Sequence, residues 1–188
     1  SYYLSKESFR MRISDRLARI KPSATLAVNT KAQELRDQGR EIISLAVGQP
    51  DFGTPAHVCQ AAKAALDEGF TRYTAVPGIP ELRKAVTGYY KKFYGAEATG
   101  DNAIVSNGGK QVLYNLLMAV VNPGDEVLIP APYWVSYPAM VQLAEGVSVF
   151  VPSTAEEGYL VTVDGLEAAR TDKTRVLILN SPSHPAGC

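Results

Sequence analysis

The chain lacks most of the features that would mark it for a special environment. Two of its 188 residues are cysteine, Cys59 and Cys188, too few for a disulfide framework, which points to a reduced, cytoplasmic setting. No apolar run reaches the length of a membrane span, and Ser1 to Lys6 has no apolar core for a signal peptide, so a soluble protein with no membrane partner is expected. Nineteen basic and nineteen acidic residues cancel, so nothing draws the chain toward nucleic acid or an anionic surface; Lys91-Lys92 reads as a solvated helix face. The G-x-G-x-x-G and G-x-x-x-x-G-K-[ST] signatures of nucleotide sites are missing too, and no metal site is predicted.

What remains is an ordinary globular composition, 46% hydrophobic and 20% charged, enough for a domain with a real core. Residues 1 to 12 show no period and read as an arm. Ile13 to Ile20 suits a short helix ended by Lys21-Pro22, and a second helix runs from the hydroxyls of Ser23 and Thr25 to a stop at Gly39. Ile42 to Ala46 reads as a strand. After the Gly48 to Gly53 loop, Thr54 is a predicted N-cap, and Val58, Ala61, Ala62, Ala65 and Leu66 repeat at helical spacing up to Gly69, with His57 at the surface. A second loop, Tyr73 to Gly78, leads to a helix opened by Pro80 and closed by Gly95.

The sequence is organised around Ser106-Asn107-Gly108-Gly109-Lys110-Gln111, between a predicted strand, Ala103 to Val105, and a predicted amphipathic helix from Val112 to Val121. Glycines there let a ligand approach, and the helix start offers amide donors and the positive end of its dipole, a setting for phosphate or carboxylate. Strand-glycine-helix turns are also common without any ligand. Beyond Asn122-Pro123-Gly124-Asp125, strands at Val127 to Ile129, Val147 to Val151 and Val176 to Leu179 alternate with helices near Tyr137 to Ala144 and Leu166 to Arg170. Such alternation implies an α/β fold with a mostly parallel sheet covered by helices, whose ligands bind beyond the carboxyl ends of strands. Pro132-Tyr133-Trp134 and Asn180 to Pro185 fall at such ends. The single tryptophan, Trp134, can cover a core or stack on an aromatic ligand, and His184 suits a turn or a catalyst.

Read together and in order, these motifs resemble the first half of a class I aminotransferase, a fold type I enzyme using pyridoxal 5′-phosphate (PLP). The resemblance rests on Lys21 to Thr25, Gly48 to Phe52, Tyr73 with Pro77 to Arg83, Gly108 to Gln111, Pro123 to Val127, Pro132 to Trp134 and Asn180 to Pro182, and it points to bacterial aspartate aminotransferases, some of which also accept prephenate. It implies that Gly108, Gly109 and Lys110 hold the PLP phosphate, that Trp134 stacks on the pyridine ring, and that Tyr73 reaches the phosphate of a neighbouring subunit in a homodimer. It further implies that Gly48 meets the substrate α-carboxylate, that Trp134 also borders the substrate, and that Lys110 meets a distal carboxylate, favouring aspartate and glutamate as amino donors to a 2-oxo acid.

Two departures stand out. His184-Pro185-Ala186-Gly187 replaces the family's usual Asn-Pro-Thr-Gly, whose asparagine hydrogen-bonds the cofactor's phenolic oxygen. The Schiff-base lysine, the acid facing the pyridine nitrogen and the arginine for the α-carboxylate have no counterpart in these residues, so no catalytic residue is nominated. The resemblance thus implies a partial large domain over residues 48–188 and an arm with a small-domain segment over 1–47. Strand edges and one face of the helix over 112–121 are expected to lie exposed, with poor solubility and no activity for these residues alone. The alternatives are a non-enzymatic fragment that keeps a dimer surface, and a related PLP lyase or decarboxylase.

Overall fold

The computed structural model describes residues 12–45, 48 and 50–188. The arm expected over residues 1–12 therefore lies, except for Arg12, outside the described residues. These fall into two compact units, one formed by Leu113–Cys188 with the described part of residues 1–23, the other by Ala24–Val112.

The first unit is built on three parallel strands, β1 (Glu126–Pro130), β2 (Val147–Val151) and β3 (Thr174–Leu177), in the order β2-β1-β3. The middle strand is the most buried, with Val127, Leu128 and Ile129 all shielded from solvent, as a parallel strand covered on both faces requires. Side chains alternate across a sheet, so Val127 and Ile129 share one face. They meet Leu117 and Val121 at the end of the helix that precedes β1, and Tyr137, Met140, Val141 and Ala144 of the helix that follows it.

Sharp local chemistry sets the turns of this unit. The Asp125 carboxylate accepts from the Asn122 N–H at 2.8 Å, ending the preceding helix, and the Asp125 carbonyl accepts from the Val147 N–H at 2.8 Å, aligning β2 with β1. Thr162 caps a helix at Val163–Ala169 by accepting from the Gly165 N–H at 3.1 Å. That helix begins three residues before its predicted start at Leu166.

In chain order the helices are α1 (Asp15–Ala18), α2 (Ala24–Asp37), α3 (Ala56–Asp67), α4 (Pro80–Tyr94), α5 (Gly109–Val120), α6 (Ser136–Leu143) and α7 (Val163–Ala169). In the second unit, α4 opens with Pro80 in its first turn and closes on Gly95 in the left-handed conformation, both as the sequence predicts. Arg83 on α4 donates through Nε to the Ala103 carbonyl at 3.0 Å and pairs with Asp101 at 3.2 Å, tying α4 to a 3-10 turn at Gly100–Asn102. The cap of α3 is Pro55, with no side-chain cap bond, rather than Thr54.

Two predicted strands do not form. Residues 42–45 are irregular, with Ile43 and Leu45 88% and 94% exposed, and Ala46 lies outside the described residues. Ala103 to Val105 is irregular as well, with Ile104 75% exposed. A strand is stabilised by its neighbours, and neither stretch has one beside it among the described residues. The expected exposure of one helix face is found on α5, where Val112, Leu116 and Val120 face outward while Leu117 and Val121 are buried.

Candidate functional site

The chain leaves β1 through Ala131-Pro132-Tyr133-Trp134 and enters α6 at Ser136. The Ala131 N–H donates to the Val151 carbonyl at 2.9 Å, and Ser153 Oγ donates to the Ala131 carbonyl, so the loop is pinned to the end of β2. Tyr133 stacks on Phe150 with ring centres 4.8 Å apart and planes 10° apart. Trp134 is half-buried and packs on the core of this unit; its ring meets Tyr137 edge-on, at 5.4 Å and 87°.

Beyond the carboxyl ends of β1 and β3 lies a cavity of about 350 Å³, lined among others by Tyr133, Tyr137, Leu160, Asn180, Ser183 and His184. This is where open parallel sheets place ligands. Ser183 is held by its N–H to the Cys188 carbonyl at 2.6 Å and by the Gly187 N–H to its own carbonyl at 2.7 Å, which folds the loop bearing His184 back toward the cavity. The peptide bonds before Pro132, Pro182 and Pro185 are cis. Among the described residues the lining holds no side-chain carboxylate, lysine or arginine; it offers aromatic faces, hydroxyls, an amide, the Cys188 thiol and one imidazole. Burial pushes the Tyr137 phenol above its ordinary pKa, so it presents a neutral hydroxyl.

The glycine turn belongs to the other unit. Gly108 has φ +84°, a conformation that favours glycine, and its carbonyl accepts from the N–H groups of Gln111 and Val112 at 3.1 and 3.2 Å, starting α5. The Asn107 N–H is held by the Gln111 side-chain carbonyl at 2.8 Å. A Cβ added to Gly108 or Gly109 would meet nothing within 4 Å, so the helix start is open to an approaching group. The Gly108 N–H donates to the Ser106 carbonyl at 2.9 Å, and the helix dipole with the clear space before Gly109 fits the phosphate of PLP. Lys110 is exposed beside the turn, and Tyr73 and Gly48 are exposed on irregular stretches of the same unit.

The structure therefore joins Trp134, through Tyr137, to the cavity that His184 lines, while Gly48, Tyr73, Gly108, Gly109 and Lys110 stand in the second unit. Tyr137 was not singled out by sequence reasoning. Its position three residues after Trp134, at the first turn of a helix following a strand end, is the signal that could have found it.

A family model described as aminotransferase class I and II matches residues 40–188. The aspartate/prephenate aminotransferase of Cereibacter sphaeroides is 53% identical over 175 residues, which cover 93% of this chain and 44% of that protein. That of Nitrosomonas europaea is 48% identical over 177 residues, covering 94% and 45%. Among solved structures, the aspartate aminotransferase from Thermus thermophilus with maleate matches with a TM-score of 0.89 at 48% identity, over 93% of this chain and 46% of that one. The chain thus spans less than half the length of these relatives. With the ordered motifs, the parallel sheet and the matched residues in agreement, the chain belongs to the aminotransferase class I and II family.

Proposed function

We propose that the protein containing these residues is a PLP-dependent aminotransferase that exchanges an amino group between an acidic amino acid and a 2-oxo acid. The observation that carries this reading is the open glycine turn at the start of α5, in a chain that belongs to this family. PLP supplies an electron sink for charge that develops at the substrate's Cα. Gly108, Gly109 and Lys110 would hold its phosphate, Trp134 would stack on its aromatic ring, and His184 would hydrogen-bond its phenolic oxygen. Gly48 takes the substrate α-carboxylate and Lys110 its distal carboxylate. Maleate, carried by the Thermus thermophilus relative, is a dicarboxylate, which supports an acidic substrate. Tyr73, fully exposed here, serves the phosphate of a second subunit in a cytoplasmic homodimer. Residues 48–188 belong to the cofactor-binding domain, and 1–47 to an arm and a small-domain segment.

The test is Gly109→Glu in the full-length protein, with Gly109→Gln as a neutral control of similar size. Gly109 has no positive φ and open space before it, so both variants should fold. The carboxylate would compete with the phosphate for the same donors, and PLP affinity should fall at least about tenfold below that of the glutamine variant, or about 1.4 kcal/mol. Equal affinity in the two variants would refute the phosphate assignment.

A further inference from the structure

We propose that Tyr137 is a positioning residue whose ring fixes the plane of the Trp134 indole beyond the carboxyl end of β1. This rests on the reading above, in which Trp134 lies against the cofactor ring. Three observations support it. The two rings meet edge to face at 5.4 Å and 87°, a favoured arrangement of their quadrupoles. Tyr137 is only 7% exposed and packs in the core with Leu117, Met140 and Val141, so it is the fixed member of the pair, whereas Trp134 is half-buried. The Tyr137 N–H donates to the Trp134 carbonyl at 3.0 Å, which sets the spacing of the two residues along the chain. A stacking surface is useful only when its plane is held before the ligand arrives, and here a core residue holds it.

The ring is what the proposal requires, and the hydroxyl is dispensable. Tyr137→Phe keeps the ring, and Tyr137→Met fills similar space without one. Each is made in the full-length protein, alone and with Trp134→Phe. PLP affinity should fall at least about tenfold in Tyr137→Met, fall no further when Trp134→Phe is already present, and stay within about twofold in Tyr137→Phe. A merely structural role would cost the same in both backgrounds, which would overturn the proposal. So would a tenfold loss in Tyr137→Phe, whose fold is not at risk should the methionine variant fail to fold. The near-ultraviolet dichroism of Trp134, taken without PLP as the difference from Trp134→Phe, gives a ligand-independent readout. It should be lost in Tyr137→Met and kept in Tyr137→Phe. If Trp134→Phe leaves PLP affinity unchanged while the dichroism behaves as expected, the positioning stands and the assignment of Trp134 to the cofactor fails.

Discussion

A β-carbon on Gly78 would stand 2.7 Å from Cγ2 of Val105 and 2.9 Å from its Cβ. The same two stretches are joined by the Val105 N–H, which donates to the Pro77 carbonyl at 3.0 Å. Gly78 also has φ +103°, so its substitution meets both backbone strain and steric overlap. The loop before α4 is thereby locked to the segment that leads into the glycine turn. Gly78→Ala should destabilise the protein by about 2–5 kcal/mol, combining left-handed strain of about 1–2 with overlap of about 1–3 kcal/mol. Urea unfolding checks this, and a loss below about 0.5 kcal/mol would mean that the two stretches are not locked together.

Gly146 shows the same constraint without the backbone strain. An added Cβ would lie 2.7 Å from Val121 Cγ1, 3.1 Å from Val141 Cγ1 and 3.2 Å from the Asp125 carbonyl oxygen. The carbonyl cannot yield without disturbing its bond to the Val147 N–H, which sets the start of β2. Gly146→Ala should cost about 1–3 kcal/mol by overpacking. Val121→Ala removes the nearest methyl, so the double variant should be less destabilised than the sum of the single ones, by about 0.5 kcal/mol or more. Strict additivity in thermal or urea unfolding would show that Val121 is not the obstacle.

Burial of Tyr137 also couples stability to alkaline pH. The folded state holds the phenolic proton more tightly than the unfolded chain, in which tyrosine loses it near about pH 10. Between those two pKa values the unfolded state binds fewer protons, so stability declines as pH rises. The contribution is complete below the unfolded value and is lost as pH climbs through the raised one. Its slope can reach about 1.4 kcal/mol per pH unit at most. Tyr137→Phe, which has no proton to lose, should flatten the decline above pH 10 in a plot of unfolding free energy against pH. An unchanged slope would assign the decline to other groups.

How legible each part of the chain is depends on what stabilises it. Helix α4 could be placed from sequence because Pro80 and Gly95 act within their own turns. Strand β1 could be placed because Val127 to Ile129 are apolar on both faces, and the glycine turn because Gly108 needs its left-handed conformation. Ala103 to Val105 has the composition of a strand, yet composition cannot supply a neighbour to pair with. The early start of α7 was written in Thr162, a capping residue easily passed over when only apolar spacing is followed. At the site, Trp134 and His184 stand out as rare residues in loops, whereas Tyr137 is marked only by its spacing from Trp134 and gains its part from tertiary packing, to which periodicity is blind.

His184, where the resemblance implies an asparagine, can be separated from the fold. It is exposed at the rim of the cavity that it lines together with Asn180. Replacing an exposed loop side chain should change the unfolding free energy by no more than about 0.5 kcal/mol. An amide is smaller than an imidazole and donates through a different geometry, so the two side chains cannot hold an aromatic oxyanion alike. His184→Asn in the full-length protein should therefore leave the melting curve in place and move the absorption spectrum of bound PLP. An identical spectrum with an identical melt would mean that the imidazole does not reach the cofactor. A large fall in stability would instead make His184 part of what holds the loop at Ser183 to Cys188.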